Sequence, residues 1–181
     1  MTIPTKRHLL IPLAIIAFVV AFDQATKIWA VEALSVTNQI EVIGQFFMFS
    51  LVYNKGGAMG TNLGSSNYYL ISASLILLFV LYYIYVNRSK LKLSIPLSFI
   101  AGGAIGNLID RIIYGKVVDF IDVDFFDIDL FGYQLQRWWT FNIADSAISC
   151  SIVYLLYLIL TKKLDGTPVN DETGSRNIAE Q

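Results

Sequence analysis

Four long stretches of this chain are almost free of charged residues, and they constrain its fold more than any other feature. They cover residues 9–22, 68–86, 93–109 and 138–161, and the last contains a single charge, Asp145. A helix of about 20 apolar residues spans a bilayer. The first stretch is short, but it reaches this length if its helix continues through residues 23–30. The sequence therefore predicts an all-α membrane protein with four transmembrane helices.

The composition supports a membrane protein and excludes several other classes. Only 15% of the 181 residues are charged and the mean hydropathy is +0.58, whereas a soluble domain carries roughly a quarter charged residues. The single cysteine, Cys150, has no partner in the chain, so a disulfide-stabilised scaffold is excluded. The net charge of −1 gives no basic field that would attract nucleic acid, and we predict no nucleic-acid partner.

The basic residues predict the orientation of the helices. They precede the first apolar stretch at residues 6–7, lie between the second and third stretches within residues 88–92, and follow the fourth at residues 162–163. Because lysine and arginine accumulate on the cytoplasmic side of a membrane, four spans place both termini in the cytoplasm. The two longer connections, residues 31–67 and 114–139, then face outward.

The length of the chain and its four predicted spans indicate a single domain. Residues 1–164 form one four-helix domain, and the polar residues 165–181 form a disordered cytoplasmic tail. A cleaved signal peptide is an alternative interpretation of basic residues followed by the first apolar stretch. No small-x-small cleavage site follows that stretch directly, and three more apolar stretches lie downstream. We therefore favour a first transmembrane helix.

Both outward connections contain patterns typical of β-strands. Residues 46–53 are rich in β-branched and aromatic side chains, and Asp122 and Asp124 alternate with apolar residues within 117–130. The alternation shifts by one residue at 125–126, which indicates a turn or bulge. A calcium loop of the EF-hand type is a weaker interpretation, because its required glycine and terminal glutamate are missing. The sequence predicts a small extracytoplasmic β-sheet with a solvated acidic face.

Polar side chains cluster at the outer ends of the predicted spans. Spacings of three and four residues place them on one helix face, as for Asp23 with Lys27 and Asn142 with Asp145. Charged groups within a membrane are costly and usually functional, although charges at a helix end can also pair or extend to the headgroups. Because four separate segments contribute, we interpret the set as one site. It comprises Asp23, Lys27, Asn107, Asp110, Arg111, Asp119, Asn142 and Asp145.

Paired carboxylates in a dry site favour hydrolysis without a metal. When two carboxylates approach each other, one retains a proton. The ionised partner can then take a proton from water, while the protonated partner donates a hydrogen bond to the scissile carbonyl. The only histidine, His8, lies in the basic N-terminal segment, and Cys150 has no histidine near it in the sequence. We therefore predict no metal site, no nucleophilic triad and no cofactor.

Four short motifs stand out along the chain. They are Asp23, Gln24, Thr26 and Lys27; Asn54, Gly56 and Ala58; Gly102, Gly103, Ala104, Gly106, Asn107, Asp110, Arg111, Gly115, Val117, Val118, Asp119 and Phe120; and Phe141, Asn142, Ala144, Asp145 and Ser146. Together they resemble the motifs of the lipoprotein signal peptidase family, signal peptidase II, over about residues 9–161. The third and fourth motifs are the specific ones. Gly57 and Met59 depart from the family pattern, in which alanine and phenylalanine are expected in the second motif.

This resemblance implies an intramembrane aspartyl endopeptidase with four transmembrane helices and a small extracytoplasmic sheet. Such an enzyme removes the signal peptide of prolipoproteins on the amino side of a cysteine that carries diacylglycerol. The implied partners are lipidated prolipoproteins and membrane lipids, and the implied protein is a monomer in the bacterial cytoplasmic (inner) membrane with its active site near the outer face. By motif position the catalytic pair is Asp119 and Asp145. The implied substrate-binding or supporting residues are Asp23, Lys27, Asn54, Gly56, Asn107, Asp110, Arg111 and Asn142.

The charges beside the catalytic pair suggest a supporting role. Ion pairs of Asp110 with Arg111 and of Asp23 with Lys27 would hold the first and third spans in register. They would also keep isolated charges away from lipid. We therefore expect the loss of one partner to lower stability as well as activity.

Two other functional classes share part of this pattern. A proton-coupled transporter also uses intramembrane carboxylates, but it needs polar groups down to the cytoplasmic side, where the spans carry little beyond serines. A non-catalytic membrane chaperone for lipoprotein precursors would need a similar groove but no carboxylate pair. Changes of aspartate to asparagine would then have mild effects.

Overall fold

Four long helices form the frame of the molecule. The structure is a computed structural model that describes residues 7–56, 66–124, 128–130, 133–135, 139–161 and 163. The helices are α1 (Arg7–Leu34), α2 (Ser66–Asn87), α3 (Leu91–Tyr114) and α4 (Ile143–Leu160). All four are long and apolar enough to cross a bilayer, which confirms, within the described residues, the four predicted helices of spanning length. The cytoplasmic location of the termini stays a prediction.

Some features predicted from the sequence lie outside the described residues. These are the tail at 165–181, the shift of alternation at 125–126, and the two departures from the second motif, Gly57 and Met59. The expectations for them stay predictions.

The ends of the helices follow from local sequence. Helix α1 continues through Asp23 and Lys27 without a break, as the short first stretch requires if it is to cross a bilayer. Helix α4 begins at Ile143, later than its apolar stretch, because Asn142 has an extended backbone (φ −129°, ψ −176°) and caps the first turn. The cap therefore places Asp145 in the first turn of α4.

Helix α3 lies at the centre and packs against the other three helices. Two glycines allow this close packing. A Cβ atom on Gly102 would lie 2.7 Å from Val19 Cβ in α1, and a Cβ atom on Gly103 would lie 2.5 Å from the carbonyl oxygen of Ala144 in α4. Both distances are below ordinary van der Waals contact, so any larger side chain would push the helices apart.

The segments that connect the helices form a three-stranded antiparallel sheet. Two of its strands follow α1 in the sequence, and the third follows α3. Its strands are β1 (Gln39–Ile43), β2 (Phe47–Asn54) and β3 (Val117–Val123), arranged in the order β1-β2-β3. Strands β4 (Ile128–Leu130) and β5 (Tyr133–Leu135) form a separate antiparallel pair. Strand β2 lies at the predicted 46–53, and β3 and β4 cover the described residues of the predicted 117–130 except Asp124, whereas the sequence analysis did not identify β1 and β5. The register sets Val52 opposite Asp119 and Asn54 opposite Val117, which brings Asn54 close to Asp119.

Aromatic side chains attach the sheet to the first helix. The ring of Trp29 in α1 meets the edge of Phe49 at a centroid distance of 5.0 Å and that of Phe120 at 6.3 Å. Ala30, Leu34 and Phe120 are buried in the same cluster. Because Phe120 follows Asp119 directly, this cluster fixes the strand that carries the carboxylate.

The predicted solvated acidic face of β3 is wrong at Asp122. Its side chain is only 6% exposed, and it accepts a hydrogen bond of 2.8 Å from the hydroxyl of Ser50 in β2. Most of β3 is buried on both faces, so alternation in the sequence does not predict exposure there.

Candidate active site

Asp119 and Asp145 come together from different elements, and one asparagine joins them. Asp119 lies on β3 with 2% of its surface exposed, and Asp145 lies in the first turn of α4. The side-chain amide of Asn142 donates to Oδ1 of Asp119 at 2.8 Å, and its backbone N–H donates to Oδ2 of Asp145 at 3.3 Å. The two predicted catalytic carboxylates are therefore held by the same residue.

The start of α4 is fixed on both sides of Asn142. The backbone N–H of Asp145 donates to Oδ1 of Asn142 at 2.9 Å, which completes a reciprocal capping box. The backbone N–H of Ala144, in the same first turn, donates to Oδ1 of Asp23 in α1 at 2.9 Å. Helix α1 thus stabilises the end of α4 that carries a candidate catalytic residue.

Each carboxylate of the pair also accepts a hydrogen bond from a second asparagine. Asn54 at the end of β2 donates to Oδ2 of Asp119 at 3.1 Å. Asn107 on α3 donates to Oδ1 of Asp145 at 2.8 Å. All four carboxylate oxygens of the pair therefore accept an N–H group, which fixes the orientation of both carboxylates.

The environment of Asp119 favours its protonated form. Burial raises the pKa of Asp119 to about 7, and the neighbouring charge of Asp145 acts in the same direction. Hydrogen bonds from Asn54 and Asn142, and the charge of Lys27, lower that pKa but do not offset burial. A carboxyl group with this pKa holds a proton for much of the time near neutral pH.

Lys27 is the centre of the buried charge cluster. Its ammonium forms ion pairs with Oδ2 of Asp23 at 2.8 Å and with Oδ2 of Asp110 at 2.9 Å, and it is 3% exposed. The third contact is a hydrogen bond of 3.0 Å to Oδ1 of Asn107. The predicted pair of Asp23 with Lys27 is present, and Lys27 also joins α1 to α3.

The predicted pair of Asp110 with Arg111 is wrong. Adjacent residues on a helix point in different directions, so Asp110 faces Lys27 on α1. It also accepts the backbone N–H of Val118 at 3.1 Å, which fixes the start of β3. Arg111 instead donates to the carbonyl of Asn107 at 3.2 Å and to that of Gly56 at 3.3 Å. It therefore links α3 to the turn after β2.

That turn also connects to Asp119. The backbone N–H of Gly56 donates to Oδ1 of Asn54 at 2.8 Å, while the amide of Asn54 donates to Asp119. The second motif, with Asn54 and Gly56, is thus tied to the carboxylate pair by Asn54 and to α3 by Arg111. The structure brings all ten predicted site residues into one connected network.

The sequence analysis did not identify Gln24 as a site residue. Its side-chain amide donates to Oδ1 of Asp110 at 2.9 Å and to the carbonyl of Gly106 at 3.2 Å. The available signal was its place in the first motif, between Asp23 and Lys27 on the same turns of helix. Gln24 satisfies the second oxygen of Asp110, which Lys27 does not reach.

Two further observations concern metal ions and apolar ligands. Among the residues that the structure describes, no group of three His, Cys, Asp or Glu side chains could hold a metal ion. A groove of about 460 Å³ lies between α1, α3 and α4 and extends from Ile143 at the start of α4 along the apolar helix faces. Phe18, Phe99 and Tyr154 contribute to its walls, so the groove suits an apolar chain or helix within a bilayer.

Known proteins match this chain over most of its length. A sequence profile of the family described as "Signal peptidase (SPase) II" matches residues 15–161. A lipoprotein signal peptidase of Clostridium tetani (strain Massachusetts / E88) is 40% identical over 154 residues, which cover 84% of this chain and 92% of that protein. A lipoprotein signal peptidase of Clostridium novyi (strain NT) is 36% identical over 147 residues, which cover 81% of this chain and 95% of that protein.

Solved structures match the fold as well. One described as "Bacterial membrane enzyme structure by the in meso method at 2.3 A resolution" has a TM-score of 0.69 and 30% identity, covering 91% of this chain and 94% of that chain. A second, with the same description at 1.9 Å resolution, has a TM-score of 0.65 and 32% identity, covering 82% and 92% of the two chains. The similarity therefore covers the fold of most of this chain.

Proposed function

This chain belongs to the signal peptidase II family, and we propose that it is an intramembrane aspartyl endopeptidase that removes the signal peptide from diacylglyceryl-modified prolipoproteins. Cleavage takes place on the amino side of the lipidated cysteine. Family membership makes the chain a membrane-embedded peptidase. The name that its relatives share, lipoprotein signal peptidase, supports prolipoproteins as the substrate class.

One observation carries the aspartyl mechanism. Asp119 and Asp145 belong to elements far apart in the sequence, yet both carboxylates accept hydrogen bonds from Asn142, at 2.8 and 3.3 Å. Each is also oriented by a second asparagine, so neither is a solvated surface charge. A buried carboxylate pair that shares one proton is the arrangement that aspartic peptidases use to activate water.

The two carboxyl groups alone can accept and return the protons that hydrolysis of the amide requires. The ionised carboxylate takes a proton from water, and the water oxygen attacks the carbonyl carbon of the scissile amide. The protonated carboxyl group donates its hydrogen bond to the carbonyl oxygen, where negative charge develops. The tetrahedral intermediate then breaks its C–N bond, and the nitrogen of the leaving cysteine takes up a proton from the pair. Water is consumed, and the pair returns to its starting protonation state.

An apolar groove along α4 supports a lipidated substrate. The groove between α1, α3 and α4 has walls of apolar side chains, which suit an acyl chain or the apolar part of a signal peptide. Asn54 and Gly56 lie at the end of β2 beside Asp119, and we propose that this segment contacts the extended backbone around the scissile bond. The distribution of basic residues supports a site near the outer face of the bacterial inner membrane, and we propose that one chain is sufficient for activity.

A cleavage assay on gels tests the proposal. The purified protein, in detergent or lipid, is incubated with a prolipoprotein that carries diacylglycerol on its cysteine and with the same prolipoprotein lacking the lipid. We expect wild type to cleave only the lipidated form, and Asp119→Asn and Asp145→Asn to lose at least about 100-fold in rate. Each variant is checked for folding by its unfolding temperature.

Glu32→Gln is a matched control, because Glu32 is an exposed carboxylate on α1 outside the site network. It should cleave like wild type. No cleavage by folded wild type would contradict the peptidase proposal and favour a chaperone or a transporter. Cleavage that survives in either aspartate variant would contradict the choice of catalytic residues.

A further inference from the structure

The ammonium of Lys27 fixes the direction of the hydrogen bonds around the carboxylate pair. An ammonium group has three donors and no acceptor. Its three donors go to Asp23, to Asp110 and to Asn107, at 2.8, 2.9 and 3.0 Å. The atom of Asn107 that faces Lys27 must therefore be its carbonyl oxygen, and its NH₂ group must point the other way.

The NH₂ group of Asn107 points at Asp145. It donates to Oδ1 of that carboxylate at 2.8 Å. The amide of Asn142 also donates to the carbonyl oxygen of Asn107, at 3.0 Å. A flip of Asn107 would place its NH₂ group against two donors, so its orientation has no acceptable alternative. Lys27 does not contact Asp145. By orienting Asn107, Lys27 nevertheless determines that the group facing Asp145 is a hydrogen-bond donor.

We propose that Asn107 is a positioning residue that transmits the charge of Lys27 to Asp145, so that Asp145 is the ionised member of the catalytic pair and Asp119 carries the proton. This inference rests on the proposed peptidase function and assigns the two roles that the function leaves open. Asp145 then acts on the water, and Asp119 donates to the scissile carbonyl.

The two carboxylates differ in what else stabilises their charge. Asp145 lies in the first turn of α4, where the positive end of the helix dipole favours a negative charge. Asp119 lies on a strand, so it has no helix dipole to favour its charge, whereas the donors to both carboxylates are neutral N–H groups. Burial raises the pKa of Asp119 to about 7, which agrees with a proton on this side of the pair.

The other charged groups around the pair do not reverse this asymmetry. Lys27 on α1 and Arg111 on α3 act on the pair directly. Asp23 on α1 and Asp110 on α3 are bound to Lys27, and Tyr69 on α2 acts on Arg111. The two cations balance the two supporting carboxylates. The pair itself therefore carries the net negative charge of the site, and a single shared proton keeps that charge at one.

The pH dependence of kcat tests the transmission through Asn107. In Asn107→Leu, the ionised form of Asp145 loses a hydrogen bond and its link to Lys27. Hydrogen bonds to charged groups contribute about 1.5–3 kcal/mol, so the acid limb of the kcat profile should move up by about one to two pH units. In Asn107→Asp, a like charge would face Asp145, and the limb should move further. KM should change little, because the effect acts through Asp145.

Ser98→Ala is the matched control on the same helix. Ser98 is fully buried, and its hydroxyl donates only within α3, to the carbonyl of Ser94. Its pH profile should equal that of wild type. An active Asn107→Leu whose kcat falls while its acid limb stays in place would overturn the proposal, because a purely structural role predicts that result.

Infrared spectroscopy gives an independent test that does not require the Asn107 variants to fold. At pH near 6, the band of a protonated carboxyl group should be lost from the wild-type spectrum in Asp119→Asn and retained in Asp145→Asn. A band that persists in Asp119→Asn, or disappears in Asp145→Asn, would overturn the assignment. The spectra do not depend on catalysis. A wild-type protein that fails to cleave lipidated substrate would instead contradict the proposed function.

Discussion

The side-chain amide of Asn142 donates to Oδ1 of Asp119 at 2.8 Å, so the residue that caps the start of helix α4 also holds the carboxylate of strand β3. The same side chain accepts the backbone N–H of Asp145 through its oxygen. The helix cap and the separation of the catalytic pair therefore depend on one residue. A change that moves the start of α4 must also move the two carboxylates relative to each other.

This double role gives the first prediction. Asn142→Ala removes the cap and the amide donor together. We expect the lost cap to lower the free energy of unfolding by about 1 kcal/mol, the unpaired buried acceptors to lower it further, and the cleavage rate to fall by at least about 100-fold. In Asn142→Ser, the hydroxyl can still accept the N–H of Asp145 and cap the helix, but it is too short to hold Asp119. Thermal unfolding and cleavage are measured for both variants.

The serine variant separates the two roles. It should be more stable than the alanine variant by about 1 kcal/mol, the contribution of the cap, while remaining as inactive as the alanine variant. If Asn142→Ser recovers the cleavage rate as well as stability, the contact with Asp119 is not needed for catalysis.

The raised pKa of Asp119 predicts how stability depends on pH. Burial raises that pKa from 3.8 to about 7 in the folded protein, so the folded state binds the proton more tightly than the unfolded chain. The stabilisation is fully present below pH 4 and is lost as the pH rises through about 7. Between pH 5 and pH 8, wild type should therefore show a falling unfolding temperature, and the fall should be smaller in Asp119→Asn.

The exposed carboxylate of Glu32 again provides the control. Glu32→Gln should keep the wild-type fall in unfolding temperature between pH 5 and pH 8. A fall of the same size in wild type and Asp119→Asn would show that another group controls this dependence.

The ion pairs of Lys27 give a third prediction, about which of two substitutions destabilises the fold more. Lys27→Met leaves Asp23 and Asp110 buried without their cation, and breaking a buried pair in this way costs about 3–5 kcal/mol. Asp110→Asn leaves Lys27 paired with Asp23, so it should cost less. The unfolding temperatures of the two single variants and of the double variant are compared in detergent.

The double variant should be more stable than Lys27→Met alone, because it removes one of the two unpaired carboxylates. If Lys27→Met unfolds at the wild-type temperature, the cluster does not stabilise the fold.

The sequence predicts the spans well because hydropathy alone determines which segments cross a bilayer. It predicts the end of a span less well. The apolar stretch that contains α4 starts at residue 138. The helix starts only after Asn142, because the side chain of Asn142 caps the helix there. Strand β1 was missed because all its residues are exposed, so its position depends on pairing with β2 rather than on a buried face.

The members of the site could also be predicted, but not their pairing. Spacing along one helix identifies Asp23 and Lys27 as neighbours. The contact of Lys27 with Asp110 depends on how closely α1 packs against α3, and no pattern within either helix contains that information. The same holds for Gln24, whose acceptor Asp110 lies on the other helix. Contacts between elements therefore had to come from the structure.

A final prediction concerns the close contact of α3 with α4. A Cβ atom on Gly103 would lie 2.5 Å from the carbonyl oxygen of Ala144, and a backbone atom cannot rotate away. Gly103→Ala should therefore push α4 outward and cost about 1–3 kcal/mol. Because Asp145 follows Ala144 directly, its hydrogen bond of 2.8 Å from Asn107 should lengthen, and the cleavage rate should fall more than stability alone explains.

Gly115 provides the contrast. It caps the C-terminal end of the same helix, and a side chain added there would point into open space. Its φ is +67°, and no atom lies within 4 Å of an added Cβ. Asparagine tolerates this left-handed conformation, so Gly115→Asn should change neither the unfolding temperature nor the rate by much. If Gly103→Ala behaves like Gly115→Asn in both measurements, the approach of α3 to α4 has room for a methyl group. The position of Asp145 would then not depend on the small residue at 103.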